Sequence, residues 1–298
     1  MTRLSRLAVI CFTGILVTLL LNVVGCGGDE PQSPTRLTIG VVMYDAGVET
    51  VEQYRRFQEY LGEQLQAVVE LEPALNELRA LEQIQRNAWA LVFAPPGLTA
   101  IAISEAQYIP LFPLQGVPNQ RSVLVARGDS DFKSIGDLAN QVIALGEPGS
   151  ATGYYLPLYD LFGLTLQEIR LAPTPKTVLE WVSKNAIAAG ALSEQQYQQH
   201  RGAFPSTSFR VLHQSRVIPP GAVLLSPTVE RNQQRILEAA MQSAPANIAA
   251  DAHYVPNAEV PDFHQLIELV AKVRPLEDQV KQQPAVLTLE TSNAPTDS

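Results

Sequence analysis

Cysteine is nearly absent: Cys11 and Cys26 are the two in 298 residues. If an N-terminal leader is removed, one remains, which excludes both a disulfide framework and a cysteine zinc site. Histidine is as sparse. His200, His213, His253 and His264 are the four, and no two stand at a spacing that metal ligands share. No metal and no cofactor are therefore expected. Basic residues are outnumbered, 21 Lys and Arg against 30 Asp and Glu, which argues against nucleic acid as a partner. No nucleophile, base and orienting acid fall into a recognisable pattern, so catalysis is not expected either. Without staples or metals, stability must come from burial. Hydrophobic residues make up 46% of the chain, enough for one core or two smaller ones in about 240 folded residues.

What is present begins at the N-terminus. Arg3 and Arg6 precede an almost unbroken apolar run from Leu7 to Val24, the order of a secretory signal. The run closes on Val23-Val24-Gly25-Cys26. A small residue directly before a cysteine, preceded by aliphatics, looks like a lipoprotein signal, in which Cys26 is lipidated and becomes the mature N-terminus. The alternative is a membrane-spanning helix, because the run is nearly long enough to cross a bilayer. Its interruption by Asn22 and Gly25, and the acidic, Gly- and Pro-rich stretch beyond, favour cleavage. Residues 1–25 are thus a signal peptide and 26–35 a flexible tether. The expected location is the extracytoplasmic or periplasmic side of the cell envelope, with the lipid on Cys26 in a membrane surface.

From Arg36 the pattern becomes that of a folded domain. Leu37 to Met43 suits a buried strand, and Val51, Tyr54, Phe57, Leu61 and Leu65 then recur at helical spacing. A strand over Val68 to Leu71 follows. Ala74 to Asn87 is predicted as a helix with Leu75, Leu78, Leu81 and Ile84 inward, and Ala90 to Ala94 as another strand ending at Pro95-Pro96. This alternation predicts an α/β fold with a mostly parallel sheet covered on both faces. A second α/β block starts after the Pro- and Gly-punctuated segment Pro110 to Pro118. It reads as strands at Ser122 to Ala126 and Val142 to Leu145, then a long helix from near Ser150. Strands at Val211 to Gln214 and Ala222 to Leu225 and helices at Thr228 to Ser243 and Phe263 to Val273 complete it. Ser226-Pro227-Thr228 is expected to cap the first of these helices. Beyond Pro275 the chain is polar and aperiodic, so 276–298 is expected to be a disordered tail.

The segment with chemical content is Gly146-Glu147-Pro148-Gly149-Ser150-Ala151-Thr152-Gly153-Tyr154-Tyr155-Leu156-Pro157. A buried strand enters a Gly-rich turn and then a helix, so hydroxyls and free amides gather at a helix N-terminus, an arrangement that binds oxyanions without lysine. Ser150 and Thr152 would each donate a hydrogen bond. Alternatively, Ser150 only caps its own helix.

Here the chain resembles a family, the substrate-binding lipoproteins of ABC importers for phosphonate, phosphite and related phosphorus oxyanions. The resemblance rests on Ile39-Gly40-Val41-Val42-Met43-Tyr44, Ser122-Val123-Leu124-Val125-Ala126, Ser150-Ala151-Thr152-Gly153-Tyr154 with Leu156-Pro157, and Phe209-Arg210-Val211-Leu212 followed by Ser215 and Ile218-Pro219. It implies a two-lobed type II periplasmic-binding-protein fold with a hinge of two chain crossings. Lobe one would take 36–120 plus 211–275, and lobe two 121–210. It also implies a small anionic ligand held by Tyr44, Ser150, Ala151, Thr152, Gly153 and Tyr154, and an ABC permease as partner. The chain departs from the family pattern at Ala151, where a hydroxyl residue is usual, at Pro175 for a histidine and at Ala188 for an aspartate. The cleft tyrosine expected after Pro95-Pro96-Gly97 falls near Thr99. These departures leave a second reading open, an envelope sensor or interaction module with a degenerate pocket. Trp89 and Trp181 are expected in cores, and Arg127 and Arg210 in ion pairs near the hinge.

Overall fold

The computed structural model describes residues 36–43, 48–116 and 120–288. The segments expected to be a signal peptide and a tether, with Cys26, and Tyr44 lie outside the described residues. The described residues form one compact unit. Among the described residues no helix is long and apolar enough to cross a membrane.

The first sheet is built from β1 (Arg36–Val42), β2 (Val68–Ala74), β3 (Leu91–Ala94) and β4 (Ile109–Pro113), and the second begins with β5 (Ser122–Arg127) and β6 (Val142–Leu145). A short ribbon strand, β7 (Thr165–Leu166), precedes β8 (Glu168–Leu171), β9 (Ala189–Ser193) and β10 (Phe209–Gln214), all three in the second sheet. β11 (Ala222–Leu225) returns to the first sheet, and β12 (Ala285–Val286) pairs with β7. The orders are β2-β1-β3-β11-β4 and β10-β5-β9-β6-β8. In the first, β1 pairs in parallel with β2 and β3, while β11 runs antiparallel to β3 and β4. In the second, β6 is parallel to β8 and β9, while β5 is antiparallel to β9 and β10. The antiparallel pairs are those made by the strands that enter or leave a crossing.

Two crossings join the lobes. One leaves β4, the other returns from β10 to β11, and they touch at an antiparallel bridge between Gln120 and Ile218. Because β10 pairs with β5, the return boundary expected at residue 211 falls after Gln214.

β3 and β11 are buried along their whole length, as expected of central strands covered on both faces. The helix Val48–Leu65 lays Tyr54, Phe57 and Leu61 on the first sheet, and Trp89, 1% exposed, packs over Gly40. Trp181 packs at the margin of the second lobe's outer core. The helix expected at Ala74 begins at Glu77, capped by Asn76, and ends at Gln85. Its buried face is Glu77, Ala80, Leu81 and Ile84, so Leu75 and Leu78 are exposed, not inward. The helix after β11 starts at Arg231, and its first turn is capped by the Glu230 carboxylate, not by Ser226.

The C-terminal segment corrects the disordered-tail expectation up to residue 288. After the helix His264–Val273 the chain makes a turn at Arg274–Leu276, a short helix Glu277–Val280 and β12. Leu276, Val280, Ala285 and Leu287 are buried, and Arg274 pairs with Glu105 of the first lobe at 2.9 Å. Polar residues mask this in sequence, because only every third or fourth side chain turns inward. Ending the chain after Val273 removes those four buried side chains. It should cost about 3 kcal/mol or more, read as a lower denaturation midpoint, whereas a disordered tail would leave the midpoint unchanged.

Candidate functional site

A cavity of about 240 Å³ lies between the lobes, at the carboxyl ends of the strands. Open α/β sheets bind ligands at this place, because strand ends and helix starts meet there. Val41 and Val42 end β1, Phe93 stands near the end of β3 and Pro95 follows it, and Ser193 ends β9; all line it. Gln115, Gly116 and Gln120 of one crossing and Pro220 and Gly221 of the other form its hinge side. It opens into a wider space of about 390 Å³, bounded by Met43, Pro175, Gln195, Gln199 and His200.

Four helices begin at this cavity, at Glu77, Pro96, Ala151 and Glu194. Two of them have side-chain caps. Asn76 accepts from Arg79 N, and Ser193 and Gln196 exchange bonds in a capping box. The helix Pro96–Ser104 has no side-chain cap. The third segment starts with a π-type turn, Ala151–Tyr155, and continues as Leu156–Asp160, shorter than the long helix expected.

Ser150 does cap its own helix: its Oγ accepts from Gly153 N at 3.1 Å. The same residue lines the cavity with Ala151 and Thr152, so both roles expected of Ser150 coexist. A hydroxyl that accepts one bond still has a proton to donate. The amides of Ala151 and Thr152 stand in the first turn with no preceding carbonyl of the helix to bond.

Gly153 lies behind the cap. Its carbonyl accepts from Gly146 N at 2.8 Å, and it lines a small adjoining cavity of about 20 Å³. Tyr154 does not reach the cleft, a correction to its expected place in the site. It is 1% exposed and stacks edge-on with Tyr155 at 5.1 Å in the shared core. Three residues into the turn, its side chain points away from the N-terminal end that faces the cavity. Thr99 is also structural, bonding Ala94 O and Ala222 N.

Two glycines make the convergence possible. A Cβ on Gly97 would lie 2.1 Å from Gly149 O and 2.5 Å from Ala151 N, so the starts of two helices, one per lobe, are in direct contact there. Gly149 has φ +104, a conformation that L side chains avoid. Hydroxyls from both crossings hold this arrangement: Ser122 Oγ donates to Thr152 O, and Ser122 N donates to Ser215 Oγ.

Among the described residues, no lysine or arginine lines the cavity. Arg127 pairs with Asp129 and Arg210 donates to the carbonyls of Gly128, Ser130 and Phe132, so both serve the second lobe's frame. Burial pushes the Tyr54 phenol up to about 12, keeping that wall neutral. Glu77, 5% exposed, is the one acid among the described residues of the cavity wall. Glu147 faces it from the turn after β6. Burial and the charge of Glu77 push the Glu147 carboxyl up, against the pull of Arg79 and a hydrogen bond from the Leu78 amide. Pro175 lies at the wider space, and Ala188 packs beside the core, away from both cavities. No group of metal-ligating side chains occurs among the described residues. Sequence reasoning missed Glu77, Ser193, Gln196 and His253. The pattern Ser193-Glu194-Gln195-Gln196 is a capping-box signature, and it could have marked one more helix start.

A family model described as ABC transporter, phosphonate, periplasmic substrate-binding protein matches residues 39–257. The chain belongs to this family. As a phosphonate-type substrate-binding protein it is the extracytoplasmic ligand-capturing component of an ABC transporter, in a family of transport proteins and not of enzymes. Solved structures share the fold. A Xanthomonas citri protein bound to chloride superposes with a TM-score of 0.68 at 16% identity, covering 80% of this chain and 99% of that one. PhnD1 from Prochlorococcus marinus, in complex with methylphosphonate, gives 0.61 at 17% identity over 80% and 98%. The binding-protein component of an ABC phosphonate transporter from Pseudomonas aeruginosa gives 0.60 at 15% over 74% and 80%. No curated protein sequence matches the chain.

Gly97→Ala would wedge a methyl group between the two helix starts. A cost of about 1 to 3 kcal/mol in the closed form predicts ligand affinity reduced between about fivefold and a hundredfold in calorimetry, with the circular-dichroism spectrum retained. Unchanged affinity would show that the contact is not needed for binding.

Proposed function

We propose that this binding protein captures a small phosphorus oxyanion, of the phosphonate, phosphite or phosphate type, between its lobes and delivers it to an ABC permease. The observation that carries this reading is the meeting of two helix N-termini, at Gly97 and Ala151, one from each lobe. Each start concentrates partial positive charge, and an anion in the adjoining cavity, which both starts line, offsets the repulsion of like ends. Ser150 and Thr152 supply hydroxyl donors, and the Ala151 and Thr152 amides supply backbone donors. Tyr44, following β1, is proposed to add an aromatic wall, as the family resemblance implies. With Ala151, Pro175 and Ala188 in place of the family's usual polar residues, recognition falls on amides and hydroxyls. Closure is stabilised by contacts the ligand makes with both lobes at once. The complex with methylphosphonate reported for PhnD1 supports this choice of ligand class.

The proposal includes the anchor. A lipid on Cys26, followed by a tether through residue 35, would hold the lobes beside the permease. Cys26→Ser should then move the protein from the membrane fraction to the soluble fraction and abolish incorporation of a labelled fatty acid. Membrane retention without the cysteine would overturn the anchor.

Ligand binding is tested by thermal denaturation with phosphate, phosphite and methylphosphonate. A ligand at a hundredfold excess over its Kd should add about 2.7 kcal/mol of stability. Silence with all three would reject the reading. Thr152→Val, which keeps the shape and deletes the hydroxyl, should weaken the effective ligand by about 1.5 to 3 kcal/mol.

A further inference from the structure

Beyond the anion site the cleft holds more room than an inorganic oxyanion fills. The main cavity of about 240 Å³ and the wider space of about 390 Å³ share Val41, Val42, Tyr54, Gln195, Gln196 and His253 on their walls, so the two are continuous. Ser150, Ala151 and Thr152 line the first and not the second. A ligand whose head lies at those donors therefore has the wider space open to its substituent. Methylphosphonate offers a single methyl group there, whereas ligand sites bury most of what they bind.

The wall of the wider space is rich in carboxamides. Gln195, Gln196 and Gln199, all on the short helix Glu194–His200, line it, and Gln115 and Gln120 of one crossing stand on the wall of the main cavity. The Gln196 oxygen accepts from Ser193 N at 3.0 Å, which holds that carboxamide in one orientation. Gln195 and Gln199 are exposed on the same helix beside it. A carboxamide both donates and accepts, which matches a hydroxyl group. Met43 and Pro175 add apolar surface for a carbon chain. Among the described residues no Asp, Glu, Lys or Arg lines this space. A charged substituent would give up water there without gaining an opposite charge. We infer that the ligand is an organic phosphonate whose substituent is uncharged and hydroxylated, and that Gln195 and Gln199 are specificity residues for that substituent. This rests on the oxyanion reading above.

Calorimetry at about pH 8, above the range in which imidazoles gain charge, tests the proposal with phosphonates that differ in substituent: methyl, 2-aminoethyl, 2-carboxyethyl and 2,3-dihydroxypropyl. The dihydroxypropyl compound should bind at least about fivefold more tightly than methylphosphonate, the gain from one or two added neutral hydrogen bonds, and more tightly than either charged compound. Replacing both glutamines, Gln195→Ala with Gln199→Ala, should bring the ratio of dihydroxypropyl to methyl affinity toward unity. An unchanged ratio in that variant overturns the role of the two glutamines. Methylphosphonate binding as tightly as the dihydroxypropyl compound, or a charged compound binding most tightly, overturns the inference from the unmodified protein alone, whether or not the variant folds. Binding of phosphate or phosphite with silence from every organic phosphonate also overturns it and leaves the oxyanion reading standing. Silence with every anion rejects that reading itself.

Discussion

The contact between Gly97 and the Gly149–Ala151 turn is the constraint on which the rest depends. It leaves no room for a β-carbon between a helix start of one lobe and a helix start of the other. Like ends of two helix dipoles are thereby held together in a site that, among the described residues, has no lysine or arginine. Such an arrangement is electrostatically costly when empty and favourable around an anion. The contact also explains why a strongly acidic chain can be an anion binder: its positive potential is local, made of backbone, and independent of net charge.

The hinge is tied to this contact through side-chain hydroxyls. Ser122 and Ser215 stand on the two crossings, and the Ser122 hydroxyl holds the carbonyl of Thr152 while its amide is held by Ser215. Any rotation at the crossings therefore acts directly on the turn that presents the anion site. The largest hydrophobic cluster runs through both lobes and takes in the helix His264–Val273 and the ordered residues up to Leu287. One side of the cleft is thus closed by a shared core, and the other opens past Gln195 and Gln199.

Much of this was legible in the sequence because buried strands are short, apolar and β-branched. β1, β3, β5 and β6 stand where the sequence places them, and so does the helix start near Ser150, since a Gly-rich turn leading to Ser-x-Thr has few other uses. What was hidden follows from physical causes. The helix Pro96–Ser104 opens with Pro-Pro-Gly, which reads as a breaker although proline is well suited to a first helical turn. β4 contains Pro110 and Pro113, tolerable because it is an edge strand. Glu77 sits at the first inward position of its helix while the apolar periodicity points to Leu75 and Leu78, so the one acid among the described residues of the cavity wall carries no signal in sequence. Tyr154 was placed in the site by resemblance, whereas the π-type turn carries it into the core.

The central claim is that backbone amides at the meeting of the two lobes, and not cationic side chains, hold the anion. Amide chemical shifts of the isotopically labelled protein during titration with methylphosphonate test it most directly. The account predicts that the largest downfield changes fall on the amides of Ala151 and Thr152 and on the neighbouring amide of Gly97. Saturable binding that leaves these three amides unmoved would contradict it.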